Sequence, residues 1–263
     1  MATVLDKIVA KKQEEIAAAK ETVAIESLRD QLKDAPPVRS FFDALAVDGP
    51  IKLIAEVKKA SPSKGIIRED FHPVEIAQTY ASHGATCISV LTDEHFFQGH
   101  IDYLKDIRQH VNVPLLRKDF ILDTYQLVEA RVAGADAVLL IAECLDDCNL
   151  RKLHNEAIEL GMTPLVEFYE PSNRERVIEA GATLIGINNR DLRTFETDLQ
   201  HTIRLRKEIS DDHLVVGESG IHFPADVKLL ADANVDAILV GESLMSKPDI
   251  GKAVKTLLSD VTV

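Results

Sequence analysis

Glu56 and Lys58 are the first residues along the chain whose types and spacing suit chemistry. They follow the apolar run Ile51-Lys52-Leu53-Ile54-Ala55, which has the β-branched content of a buried strand. Side chains alternate along a strand, so Ile54, Glu56 and Lys58 share one face. If Ile54 faces a core, a carboxylate and an ammonium sit just above it, where charges are costly unless they pair or hold a ligand. The loop beyond, Ser61-Pro62-Ser63-Lys64-Gly65, offers small donors and a lysine, which suits a phosphate. Taken alone, this stretch also fits an ordinary strand running into a solvated basic loop. Its weight comes from repetition.

Further apolar runs close in the same way. Pro114-Leu115-Leu116-Arg117 is followed by Lys118, on the face of Leu116, and Pro164-Leu165-Val166 by Glu167, on the face of Leu165. Leu184-Ile185-Gly186-Ile187 ends in Asn188, Asn189 and Arg190, and Leu214-Val215-Val216-Gly217 in Glu218, Ser219 and Gly220. The last run ends in Gly241, Glu242 and Ser243. Lysines, glutamates and an asparagine at one mouth suit acid–base work on an anionic substrate. The two Gly/Ser turns let backbone N–H groups approach a phosphate, although either also fits a tight turn with no ligand. Phe96, Phe97, Phe120, Leu140 and Leu192 lie near strand ends and are candidates to line the mouth against an aromatic ligand, the alternative being helix–sheet packing. Phe168, next to Glu167, should point away from it.

These residues need elements that bring them together. From residue 51 onward, strand-like runs at 51–57, 86–91, 113–116, 137–142, 163–168, 184–187, 214–217 and 237–240 alternate with helical segments. The helices read as 73–82, 101–109, 124–133, 146–160, 171–180, 198–209, 224–233 and 250–258, several of them followed by Gly. The strands are nearly continuous apolar runs, as parallel strands covered on both faces should be. Eight alternations predict an α/β chain folded as a (β/α)8 (TIM) barrel, whose sites lie at the C-terminal strand ends, with phosphate held after the seventh and eighth. A doubly wound sheet would carry a Gly-rich dinucleotide turn after its first strand, where this chain has Lys-Lys-Ala-Ser-Pro-Ser-Lys. Residues 1–46 read as a helical extension of one barrel domain spanning 1–263, with Leu5, Ile8, Val9 and Ile16 at helical spacing. The extension is too short and too charged to hold its own core, so it must dock, and the expected place is over the mouth as a lid rather than at the bottom as a plug.

Composition bounds the partners. The formal net charge of −13 argues against nucleic acid. Neither a membrane-length apolar run nor a secretory leader is visible, which reads as cytoplasmic. Cys87, Cys144 and Cys148 make no disulfide framework and no metal motif, so neither metal nor cofactor is expected.

The chain resembles the indole-3-glycerol phosphate synthase family. The resemblance rests on Ala55-Glu56-Val57-Lys58-Lys59-Ala60-Ser61-Pro62-Ser63, Leu91-Thr92 through Phe97-Gln98-Gly99, and Arg117-Lys118-Asp119-Phe120-Ile121. It extends through Leu165-Val166-Glu167, Gly186-Ile187-Asn188-Asn189-Arg190-Asp191-Leu192 and Gly217-Glu218-Ser219-Gly220-Ile221. The resemblance implies ring closure of 1-(2-carboxyphenylamino)-1-deoxyribulose 5-phosphate with loss of CO2 and water. It also implies roles: Lys118 as general acid, Glu167 as acid or base of the dehydration, Lys58 with Glu56 at the anthranilate carboxylate, and Asn188 and Glu218 as positioning groups. Ser61, Ser219, Gly220, Gly241 and Ser243 would surround the phosphate, with Arg190 near the carboxylate. Another phosphosugar barrel, such as the isomerase of the same pathway, and a barrel that only binds a phosphorylated ligand are the alternatives. The expected partner is a phosphorylated small molecule, acting on a monomer or weak homo-oligomer, with a pathway enzyme as candidate protein partner.

Overall fold

Residues 3–191, 193–194 and 196–260 are described by the computed structural model; Leu192, expected at the mouth, lies outside them. Eight parallel strands close into a barrel: β1 (Lys52–Val57), β2 (Cys87–Leu91), β3 (Leu115–Lys118), β4 (Ala137–Ile141), β5 (Thr163–Phe168), β6 (Leu184–Asn188), β7 (Leu214–Glu218) and β8 (Ala237–Val240). Each pairs with the next, and β8 returns to β1 through registers such as Ile54 with Leu239. The expected barrel is therefore the observed one.

Strand alternation builds two cores. Leu53, Ala55 and Val57 of β1, with Val138 and Leu140 of β4 and Phe168 of β5, pack outward against the helices. Ile54, Leu116, Leu139, Ile141 and Leu165 fill the interior. An inward polar residue at a strand's last turn therefore stands on a packed apolar floor at the mouth. Leu140, expected at the mouth, belongs to the outer core. Its neighbours Leu139 and Ile141 have the inward parity, so they line the mouth in its place.

The helices between strands carry local start and stop signals. In the helix Thr124–Val132 the Asp123 side chain accepts from the Tyr125 N–H, and in the helix Asp147–Glu159 Asp146 accepts from Asn149. Gly134 follows the first of these helices at φ +91°, a conformation disfavoured for other residues, and a side chain there would also meet Arg108 and Pro36. The strand expected to stop at Leu116 runs on through Arg117 and Lys118. It starts after Pro114, and Leu115 donates its N–H to Asp136 Oδ2 at 2.8 Å.

The N-terminal extension does two jobs, which corrects the expectation of a lid alone. Helix α1 (Val4–Thr22) lies on the mouth, where Val4, Leu5 and Ile8 reach the cavity. The chain then descends the side of the barrel. α2 (Ile25–Gln31) packs on the helix Thr124–Val132, Arg131 donates to the Pro36 carbonyl at 2.6 Å, and the Arg39 N–H donates to Asp136 Oδ1 at 2.7 Å. α3 (Phe41–Ala46) closes the opposite end, its Phe41 and Leu45 joining the interior cluster that contains Cys87, Ala137 and Ala237. Those strand-start residues are small and leave space at the bottom, which the fully buried Phe41 ring fills.

Two elements were not legible beforehand. A two-residue hairpin pairs Ala60–Ser61 with Gly65–Ile66 beyond β1, and a short helix, Glu242–Met245, begins directly after Gly241. Among the described residues no helix is long and apolar enough to cross a membrane.

Candidate active site

The strand ends converge on a single cavity. Glu56, Lys58, Ser61, Phe97, Lys118, Phe120, Glu167, Asn188, Arg190, Glu218, Ser219, Gly220, Gly241 and Ser243 all line it, although they come from every part of the barrel sequence. Leu140 does not line it.

Lys118, on the inward face of β3, is the centre of the charged floor. Its Nζ lies 2.6 Å from Glu167 Oε2 and 2.8 Å from Glu218 Oε2. Asn188 Nδ2 donates to the other Glu167 oxygen at 3.0 Å and fixes the carboxylate plane. Both glutamate side chains are nearly fully buried, so these charges interact in a poorly screened environment. Burial alone would lower the Lys118 pKa, but Glu167, Glu218 and Glu56 outweigh it and hold the pKa above its ordinary value. Burial likewise pushes Glu167 up, yet Lys118 and the hydrogen bonds from Lys118 and Asn188 leave it lowered. Glu218 ends on the other side: burial and the neighbouring Glu167 carboxylate raise its pKa, and Lys118 offsets only part of that. The floor thus holds a charged ammonium, an ionised carboxylate and a carboxyl group that favours its proton.

A second pair stands beside it. Lys58 Nζ lies 2.8 Å from Glu56 Oε1, and the Ser89 hydroxyl donates to the other Glu56 oxygen at 3.5 Å. Two glycines make room for these carboxylates. A Cβ on Gly241 would come within 2.6 Å of Glu56 Oε1, and one on Gly186 would collide with Glu218 Oε1. Gly241 therefore has a steric reason to be glycine in addition to any backbone contact with a ligand, which the Gly/Ser turn pattern did not reveal.

The cavity has two unlike ends. Toward β2, β3 and α1 it is apolar: the Phe97 and Phe120 rings sit 6.0 Å apart, beside Leu5, Ile8, Leu139 and Ile141. Toward β7 and β8 it is built of Ser219, Gly220, Gly241 and Ser243, with Ser61 and Ser63 from the loop after β1. Ser219 and Gly220 both have positive φ, +67° and +75°, which turns the backbone tightly at the cavity wall. The Ser243 hydroxyl donates to the Ile221 carbonyl at 2.7 Å, so its side chain serves the loop itself. Arg190 and Lys64 both face the Glu242 carboxylate, at 3.5 and 3.7 Å. Glu242 and the α1 residues, read from the sequence as a strand end and a lid, were given no place among the ligand-binding residues, and the Leu139/Ile141 pair was missed. Counting strand parity from Ala137 would have found the last two.

Among the described residues no group of three or more His, Cys, Asp and Glu side chains is arranged to hold a metal ion.

The family model for indole-3-glycerol phosphate synthase matches residues 5–257. A relative of that name from Rhodopirellula baltica is 56% identical over 98% of this chain and 99% of its own. Another from a Polaromonas species is 49% identical, covering 98% of both chains. Among solved structures, a 3-hexulose-6-phosphate synthase superposes with a TM-score of 0.66 at 14% identity, over 81% of this chain and 100% of that one, a likeness of fold alone.

Proposed function

Because the chain belongs to the indole-3-glycerol phosphate synthase family, and so to carboxy-lyases of tryptophan biosynthesis, we propose how its mouth divides the work of that reaction. The substrate, 1-(2-carboxyphenylamino)-1-deoxyribulose 5-phosphate, must close a five-membered ring, lose CO2 and lose water. The carboxyphenyl ring lies toward Phe97, Phe120 and Ile8, and the phosphate toward Ser219, Gly220 and Gly241, because these are the apolar and the donor-rich ends of the cavity.

The observation that carries the reading is the Lys118 ammonium, buried between the Glu167 carboxylate at 2.6 Å and the Glu218 carboxyl group at 2.8 Å. Attack of the aromatic carbon on the ketone puts negative charge on the carbonyl oxygen, and Lys118 delivers a proton there. The carboxylate bond then breaks, CO2 leaves, and its electron pair restores the ring. The new hydroxyl departs as water and a ring proton is lost. Glu167, held by Asn188, manages that second half. Lys58, oriented by Glu56 at 2.8 Å, anchors the substrate carboxylate before it leaves. Glu218, which favours its proton, hydrogen-bonds Lys118 and a ligand hydroxyl. Arg190 lies at the polar side, where Glu242 holds it until an anion arrives.

The chain contains no Trp and four Tyr. Adding the open-chain phosphate should therefore produce indole fluorescence over a low background, without added metal or cofactor. A signal that never appears, or that a chelator abolishes, would overturn this reading.

A further inference from the structure

Helix α1 carries an apolar stripe through Ile8 and Ile16, and the position between them on that face is Lys12. A lysine is an unfavourable occupant of a docking face unless it meets opposite charge. Lys12 is 5% exposed, and its Nζ lies 2.9 Å from Asp93 Oδ2 and 3.0 Å from Asp119 Oδ1. Both aspartates are almost completely buried. The ion pairs therefore operate where screening is weak, and neither carboxylate has water to fall back on.

Each aspartate holds one wall of the cavity. Asp93 follows β2, and its Oδ1 accepts the Phe96 N–H at 2.8 Å, which shapes the turn that presents Phe97. Asp119 follows Lys118 directly. Its Oδ1 accepts the Phe120 N–H at 2.8 Å, and its Oδ2 accepts from Thr92 Oγ1 at 2.6 Å and Arg117 Nη2 at 3.1 Å. One ammonium thus ties the lid helix to the loop carrying Phe97 and to the strand end carrying Lys118 and Phe120.

We propose that Lys12 is a positioning residue for the reaction: its ammonium, bridging Asp93 and Asp119, docks α1 over the mouth and fixes the two strand ends that present Lys118 and the aromatic wall. This rests on the assignment of Lys118 as the acid. Without Lys12, the buried Asp93 carboxylate loses its ion pair and Asp119 keeps only the one with Arg117, and the least costly relief is for α1 to leave and the two loops to move apart. The outer core lies elsewhere and stays intact, so the barrel itself survives.

The test compares Lys12→Met, Lys12→Arg and Lys118→Met in the full chain, reading kcat, KM and melting temperature. Small misplacement of a reacting geometry costs up to about 10²-fold, so Lys12→Met should lose about that much in kcat/KM, with kcat lowered and KM raised together. Its melting temperature should move little, and Lys12→Arg, which keeps the charge, should recover most of the loss. Unchanged kcat/KM in Lys12→Met would overturn the proposal. So would equal losses in Lys12→Met and Lys12→Arg that track a falling melting temperature, because the lysine would then be merely structural. Lys118→Met separates the two levels: if it too retains activity, the acid assignment fails, whereas an inactive Lys118→Met beside a normal Lys12→Met sinks only the role of Lys12.

Discussion

The Lys118 ammonium and the Glu167 carboxylate, from β3 and β5, meet at 2.6 Å across the barrel floor. The two groups assigned to different proton transfers are therefore one ion pair before substrate arrives, and each sets the protonation of the other. Substrate must enter this pair, and removing either partner perturbs the one that remains.

The pH dependence of Glu167→Gln should show that linkage. Burial lowers the Lys118 pKa and Glu167 is the leading carboxylate that raises it, with Glu218 and Glu56 behind. Removing the Glu167 charge therefore lowers the Lys118 pKa, and less of the acid is protonated at alkaline pH. The alkaline limb of kcat/KM in Glu167→Gln should move to lower pH than in the unsubstituted chain. A limb that stays in place or moves upward would contradict the coupling.

Lys58→Met should behave differently from a change at the acid. Lys58 pairs with Glu56, whereas Lys118 pairs with Glu167 and Glu218, so the proposed work of Lys58 is to hold a carboxylate. KM should rise by about an order of magnitude or more, as losing a charge-assisted hydrogen bond of about 1.5–3 kcal/mol implies. A KM that is unchanged while kcat collapses would instead make Lys58 the acid.

The two ends of the N-terminal extension should separate in mutagenesis. Phe41→Ala opens a hole at the closed end of the barrel and should cost about 3–5 kcal/mol of stability, read by denaturant unfolding, with KM unchanged. Leu5→Ala, at the mouth, should raise KM and leave stability nearly intact. The reverse pattern would exchange lid and plug.

Much of this arrangement was legible in the sequence, and the misses have physical causes. Strand parity places Glu56, Lys118 and Glu167 inward, because the side-chain period of a strand is fixed. Leu140 went astray because proximity to a strand end was used where parity should have decided. An amphipathic stripe tells that a helix docks but not on which end of a barrel, so the α1/α3 division was invisible. Lys12 did leave a trace, a gap in the stripe between Ile8 and Ile16. The steric need for glycine at 186 and 241 depends on which carboxylates fold over them, and no local pattern encodes that.

Acid should weaken the lid anchorage through Asp119. Burial would raise this carboxyl, but Arg117, Lys12 and the hydrogen bonds of Thr92 and Lys12 hold it at about 2. Its unfolded value is about 3.9, so the folded pKa is the lower of the two; the contribution is complete above about 3.9 and is lost as pH falls toward 2. The stability gap between the unsubstituted chain and Asp119→Asn should therefore narrow on going from pH 5 to pH 2. A gap that stays constant across this window would show that the Asp119 charge contributes nothing.

The division of labour between Lys118 and Glu167 is tested most directly by measuring CO2 and indole separately in the two variants. Loss of a positioned acid or base costs about 10²–10⁴-fold, so both Lys118→Met and Glu167→Gln should turn over slowly. In Glu167→Gln, ring closure and decarboxylation still have their acid, so CO2 should appear ahead of indole fluorescence while a ring-closed, still hydroxylated species accumulates. In Lys118→Met neither CO2 nor indole should appear at an appreciable rate. CO2 and indole rising in lockstep in Glu167→Gln, or Lys118→Met retaining the kcat of the unsubstituted chain, would contradict the account.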